Sequence, residues 1–331
     1  MKLTIPPTRW LRMLLSYFLA LVCLVWVFHD VQIRVFLGSF RRIRWVWMMA
    51  AILLDILSYV CQGMRWERLL RPVGAISWRR ATQAIYAGLF TSEILPMRPG
   101  EWIRAYLVSH WLGCRFAAVL PSLATERLID GFWLAIAFGL TAMLYPLPKN
   151  ILRAGDVLGG LVLVGTGLIG YIIFRKRNAP ETGGDAAKAE PGFFTQLADG
   201  LNSIGTSRFL LSASAFSLLL LVFQALAFFT VLRGCRLQIS LWPAAVVFLI
   251  VHLGTAVPNA PGNVGTYQFF CVTGLQLFGV DKNLAAGFSV IVFVILTLPL
   301  LAIGYFALAR SGMSMAIIRN TVTKRARQPH P

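Results

Sequence analysis

The sequence predicts an all-α fold: a polytopic membrane helix bundle with two re-entrant or broken helices in an inverted-repeat arrangement. It forms one integral membrane domain over residues 1–331. Three observations predict this. First, 57% of residues are hydrophobic and 13% charged, against roughly 25% charged in a soluble domain, and the mean hydropathy is +0.70. Second, apolar runs long enough to cross a bilayer recur along the chain. Third, the pattern P-x-x-P-G occurs twice, at Pro96-Met97-Arg98-Pro99-Gly100 and Pro258-Asn259-Ala260-Pro261-Gly262. With 16 prolines and 28 glycines, about 0.07 copies are expected by chance, so two point to an internal duplication. Proline removes a backbone donor and glycine loosens the chain, so Pro96, Pro99, Gly100, Pro258, Pro261 and Gly262 should each help to break a helix inside an apolar stretch.

Taken in order, the first apolar run is about Met13–Phe28 and follows Lys2, Arg9 and Arg12. It ends in Trp26, Val27, Phe28 and His29 with no small-residue cleavage site, so it reads as a retained span rather than a signal peptide. A second span runs over about 45–70. The first repeat, about 45–145, continues with two arms, about 81–95 and 101–112, around the first break. Each arm is shorter than the ~20 residues of a full crossing and suits a re-entrant hairpin. A long span over about 117–144 ends at Pro146 and Pro148, and another covers about 157–174. Residues 175–192 are polar and poor in bulky side chains, which reads as a cytoplasmic linker. Phe193, Phe194, Leu197, Leu201 and Ile204 then recur at helical spacing, an interfacial helix over about 193–206. The second repeat, about 209–310, holds a span (209–232), the second broken segment (241–278) and a last span (284–308).

Six spans and two hairpins would place the two hairpins on opposite faces of the membrane, as in inverted-repeat transporters. The side with both termini would carry Lys2, Arg9, Arg12, Arg65, Arg68, Arg71, Arg79, Arg80, Arg115, Arg175, Lys176, Arg177, Lys188, Arg208, Arg310, Arg319, Lys324, Arg325 and Arg327. The other would carry fewer: Arg34, Arg41, Arg42, Arg44, Lys149, Arg153, Arg233, Arg236 and Lys282. The excess places both termini in the cytoplasm and the chain in the cytoplasmic (inner) membrane. The cluster Arg41, Arg42, Arg44 runs against the rule.

The formal charge of +18 is spread between spans rather than gathered on one domain. The expected partners are therefore membrane lipids and not nucleic acid. The five cysteines are scattered without a C-x-x-C pair, and the four histidines lack metal-ligand spacing, so no metal and no cofactor is expected. There is no G-x-S-x-G and no nucleotide loop, which argues against an enzyme.

Charges inside the membrane are costly, at about 2.5–3.5 kcal/mol each on insertion scales, and usually pair or face a cavity. Arg98, Arg104 and Arg127 lie in or beside membrane segments, with Glu93, Glu101, Glu126 and Asp130 around them and Asp55 in the second span. Glu101 and Arg104 share a face if helix restarts after Gly100, as do Glu126 and Asp130. One reading is a set of buried ion pairs locking the first hairpin to the next span. The other is a polar cavity for a charged lipid headgroup, with Arg98 or Arg104 on a phosphate. The second motif is neutral, with Asn259, Asn263, Thr266, Tyr267 and Gln268. These either face the arginines across an asymmetric site or satisfy freed backbone groups.

Leu95-Pro96-Met97-Arg98-Pro99-Gly100-Glu101-Trp102-Ile103-Arg104 resembles the L-P-x-R-x-G-E-x-x-R signature of the lysylphosphatidylglycerol synthase transmembrane-region family. Glu126-Arg127-Leu128-Ile129-Asp130 resembles its E-R-x-x-D segment, and Pro258–Gly265 its second P-x-x-P-G-x-x-G element. Arg65-Trp66 with Leu69-Leu70 matches its R-W-x-x-L-L. Ser92-Glu93 stands where the family often has an asparagine before L-P. The resemblance implies a flippase-like protein that moves a lipid. The soluble aminoacyl-transfer domain of the synthases is expected to be absent, since the chain stops about twenty residues after the last span.

The function expected is translocation of a lipid or lipid-linked headgroup, of anionic phospholipid, glycolipid, polyprenyl-linked or hopanoid type. The headgroup residues would be Arg98, Arg104, Arg127, Glu93, Glu101, Glu126, Asp130, Asn259, Asn263 and Gln268. The alternatives are a proton-coupled small-solute carrier and a non-catalytic partner of a lipid-modifying enzyme.

Overall fold

The computed structural model describes residues 7–32, 43–95, 99–144, 208–255 and 260–312, with single positions between 34 and 40 and between 149 and 165. Pro96, Met97, Arg98, Pro258 and Asn259 lie outside the described residues, as do the linker and interfacial helix expected over 175–206 and most of the span expected over 157–174.

Among the described residues every regular element is helical. They are α1 (Pro7–Phe28), α2 (Trp45–Leu70), α3 (Trp78–Ile94), α4 (Gly100–Leu112), α5 (Phe116–Leu144), α6 (Arg208–Gly234), α7 (Leu241–Gly254), a 3₁₀ turn (Pro261–Asn263), α8 (Thr266–Gln276) and α9 (Lys282–Ala309). Four helices are long and apolar enough to cross a membrane: α2, α5, α6 from Phe209, and α9. At 1.5 Å per residue α3, α4, α7 and α8 reach only about 17–25 Å, short of the ~30 Å hydrocarbon core.

Local chemistry explains the ends. Ser77 caps α3 by accepting a hydrogen bond from the Arg80 N–H. Leu95 is extended (φ −94°, ψ 139°), as a residue before proline must be, so α3 stops at Ile94. Helix restarts at Gly100 with Glu101 in its first turn, where the helix dipole favours a carboxylate. Gly113 (φ +64°) closes α4 in the left-handed conformation. After the second break, the Gln268 side chain accepts from the Gly265 N–H at 2.7 Å and starts α8. Glycine has no side chain to reciprocate, so only half of a capping box forms. Asp281 caps α9, accepting from the N–H groups of Asn283 (2.9 Å) and Leu284 (3.4 Å). Asp281→Ala should lower the unfolding midpoint through a loss of about 1 kcal/mol, checked by thermal unfolding in detergent.

Two apolar cores form on opposite halves of α2. Trp66, Leu69 and Leu70 at its C-terminal end pack with α3, α4 and α5, and with Ala213 of α6 and Leu308 of α9. Met48 and Ala51 at its N-terminal end pack with Phe228, Val231 and Leu232 of α6 and with α7, α8 and the first half of α9. Met48 and Trp66 are eighteen residues apart, about 27 Å along a helix. The arms α3 and α4 therefore pack at one end of the bundle, and α7 and α8 at the other. Helix α3 packs against α9 and against the 3₁₀ turn, and α7 against α5, so each pair of short helices touches a long helix from the other half of the chain. Helix α1 lies on α8, with Trp26 edge-on to Phe269 at 4.9 Å.

At Gly88 and Gly100 the arms α3 and α4 meet backbone to backbone. A Cβ on Gly100 would lie 1.9 Å from the Gly88 carbonyl oxygen, and one on Gly88 would lie 2.7 Å from the Gly100 oxygen. The Gly100 N–H also donates to Ser92 Oγ at 3.1 Å.

Candidate functional site

Two polar assemblies sit inside the bundle. The first is an ion-pair network joining α2, α4 and α5. Arg65 is 0% exposed, although the charge pattern alone assigns it to the cytoplasmic face. That expectation is corrected here: Arg65 donates to Glu126 Oε1 at 2.6 Å, to Ser217 Oγ at 2.7 Å and to both oxygens of Asp130. Because Glu126 and Asp130 are one helical turn apart, one guanidinium spans both. Arg104 enters from α4, with its two terminal nitrogens 3.1 Å from Glu126 Oε1 and 3.0 Å from Oε2. Its guanidinium lies over the Trp66 ring at 4.8 Å, and Trp66 Nε1 donates to Ser122 Oγ at 3.0 Å. Gln62 donates to Glu126 Oε1 at 3.1 Å.

Two cations thus face two carboxylates, and the network is neutral within itself. Glu101 pairs with Arg127 at 2.5 Å on the half-exposed outside of the same α4–α5 contact. The sequence places Glu101 and Arg104 on one face, but each pairs with α5 rather than with the other. The described arginines of the first motif region, Arg104 and Arg127, are both engaged by carboxylates.

The second assembly is a cavity of about 170 Å³ between the two helix breaks. Asp55 and Tyr59 line it from the middle of α2, Glu93 from the end of α3, Gln224 from α6, and Phe248 and His252 from α7. Gly262, Asn263 and Tyr267 line it from the second break and α8, and Phe293 and Thr297 from α9. The two motifs approach each other here: a Cβ on Gly262 would lie 2.9 Å from Glu93 Oε2. Gly262 (φ +65°), Asn263 (φ +53°) and Gly265 (φ +89°) all take positive φ, which turns the chain sharply at the cavity wall. None of the described lining residues is a lysine or arginine.

The expected site residues therefore divide. Glu93 and Asn263 line the cavity. Arg104, Glu126 and Asp130 belong to the buried network, Glu101 and Arg127 to the outer pair, and Gln268 to the α8 cap. Arg98 and Asn259 lie outside the described residues. Tyr59, Gln224 and Thr297 are not singled out by sequence patterns. A lone polar residue in an apolar run is the one available signal, and it is clearest for Asp55 and for Gln224, the only amide in α6. Of the histidines near the motifs, His252 faces the cavity, whereas His110 is exposed and stacks on Tyr106. No group of three or more metal-ligating side chains occurs among the described residues.

The cavity offers hydrogen bonds, negative charge and aromatic faces at the depth of the bilayer interior. No curated protein and no solved structure matches the chain. The family described as the lysylphosphatidylglycerol synthase TM region matches residues 13–304. Four apolar helices of spanning length, broken helices between them, and this match over most of its length establish that the chain is an integral membrane protein of the lysylphosphatidylglycerol synthase TM-region family.

Proposed function

We propose that the protein translocates a lipid-linked headgroup across the cytoplasmic membrane, with the cavity between the two breaks as its midway station. The observation that carries this reading is the position of the cavity. It is walled by both broken segments and by the middle of three long helices, where transporter sites of broken-helix design lie. The packing of the hairpins on opposite halves of α2 supports an inverted pair of span–hairpin–span units, each re-entrant from its own face. In this reading the buried Arg65–Glu126–Arg104–Asp130 network locks α4 to α2 and α5. The headgroup instead meets Glu93, Gln224, Asn263 and Tyr267, while its acyl chains stay in lipid. The membrane lipid is the partner, and no cofactor takes part.

The cavity is smaller than the roughly 300–1,000 Å³ of ordinary ligand pockets. Headgroup entry therefore requires the hairpins to rock apart. The same small volume favours a second reading, a carrier for a small polar solute.

Reconstituted liposomes carrying headgroup-labelled phospholipid or glycolipid separate the two. Translocation by the wild type should fall at least about tenfold, ~1.4 kcal/mol in barrier, in the Gln224→Leu/Asn263→Leu double variant. The Glu101→Gln/Arg127→Gln variant should keep the wild-type rate. Equal rates for wild type and the cavity variant would refute the site. Uptake of a water-soluble solute without lipid movement would favour the carrier.

A further inference from the structure

The cavity contains an imbalance that holding a headgroup does not explain. Asp55 is 5% exposed and lines the cavity. Ser58 Oγ donates to its main-chain carbonyl at 2.7 Å, and its carboxylate has no hydrogen-bond or ion-pair partner among the described residues. Two more lining groups, Gln224 Oε1 and Asn263 Oδ1, are buried acceptors without a donor. In α9, Pro299 has no N–H to give to the Ile295 carbonyl, beside the lining residues Leu296 and Thr297. The side chains of Asp55, Gln224 and Asn263 thus all present oxygens without a donor among the described residues. Water can satisfy an amide oxygen, but a carboxylate buried without a counter-charge is strongly unfavourable, and the group must take up either a proton or a cation. Glu93, the other acid in the wall, has interactions of its own.

We infer that the cavity binds one alkali-metal cation, held by the Asp55 carboxylate, Gln224 Oε1 and Asn263 Oδ1. In competition with a proton, a hard monovalent cation matches an all-oxygen set that includes the Asp55 carboxylate. The volume of about 170 Å³ is close to that of roughly six waters at ~30 Å³ each, enough for a partly hydrated ion. Asp55 stands on α2, which belongs to both cores, and Asn263 on the second break, so the ion bridges a shared span and a hairpin. Its binding is thereby linked to hairpin position. That coupling role rests on the translocation reading; binding itself does not.

The test is thermal unfolding of the full chain in mild detergent, in sodium, potassium or choline chloride at equal ionic strength. Sodium or potassium should raise the midpoint saturably by roughly 3–6 °C over choline. Asp55→Asn should fold and lose the increment, and Asn263→Ala should need about tenfold more salt to reach it. Equal midpoints in all three salts, or an increment kept in Asp55→Asn, would overturn the proposal. Because lipid movement is not read here, a cation response without translocation in liposomes removes only the translocation reading. Translocation without a cation response removes only this one.

Discussion

Glu126→Ala is expected to destabilise the protein by about 3–5 kcal/mol, the range for removing one partner of a buried ion pair. It would be read as a large fall in the unfolding midpoint and in folded yield. The carboxylate is 0% exposed and takes donors from α2 and α4 at once. Its loss leaves Arg104, 4% exposed, with no carboxylate and leaves Arg65 with Asp130 and the Ser217 hydroxyl. The cost comes from stranding guanidiniums in an apolar core more than from the bonds lost. It follows that replacing Glu126, Arg65 and Arg104 by Met together with Asp130 by Asn should recover most of the stability, since well-packed apolar residues often equal a buried network. This quadruple variant also tests what the network is for. If it only locks the hairpin, the refolded variant should still translocate. If Arg104 holds a phosphate, translocation should be lost although the fold is regained.

Gly100→Ala is expected to cost more than the 1–3 kcal/mol typical of overpacking, measured by the same unfolding assay. The new Cβ would sit 1.9 Å from the Gly88 oxygen and 2.3 Å from Ser92 Oγ. The nearest obstacle is backbone and cannot rotate away, so α4 must move off α3 and draw Arg104 from Glu126. Gly88→Ala meets the Gly100 oxygen at 2.7 Å, a milder overlap, and should cost less. Adding it to Gly100→Ala should not rescue the hairpin, because both methyls fill the same contact.

Much of this architecture can be read from local sequence. Hydropathy marks the long helices, and the prolines and glycines mark where α3 gives way to α4 and α7 to α8, because both effects act within a few residues. The shared face of Glu126 and Asp130 follows from helical period alone. Their partner does not. Arg65 lies 61 residues before Glu126 and near a helix end rich in arginine, where local charge counting assigns it to the membrane surface. Its burial is a tertiary fact. Asp55 is visible as a lone acid in an apolar run, but its neighbours Gln224, Asn263 and Thr297 come from three other segments. No spacing rule gathers them.

The way the two cores share helices also bears on how the protein is made. The core around the first hairpin includes Leu308 near the end of α9 and Ala213 near the start of α6, and the other core includes Met48 and Ala51 from α2. During synthesis the first hairpin can be inserted early, but its packing stays unfinished until the last helix has left the ribosome. Until then the charged network between α2, α4 and α5, whose parts all lie before residue 131, would tie that half together alongside the apolar residues of the same helices. A group that looks costly in the finished protein would thus serve as the clasp of a half-built one.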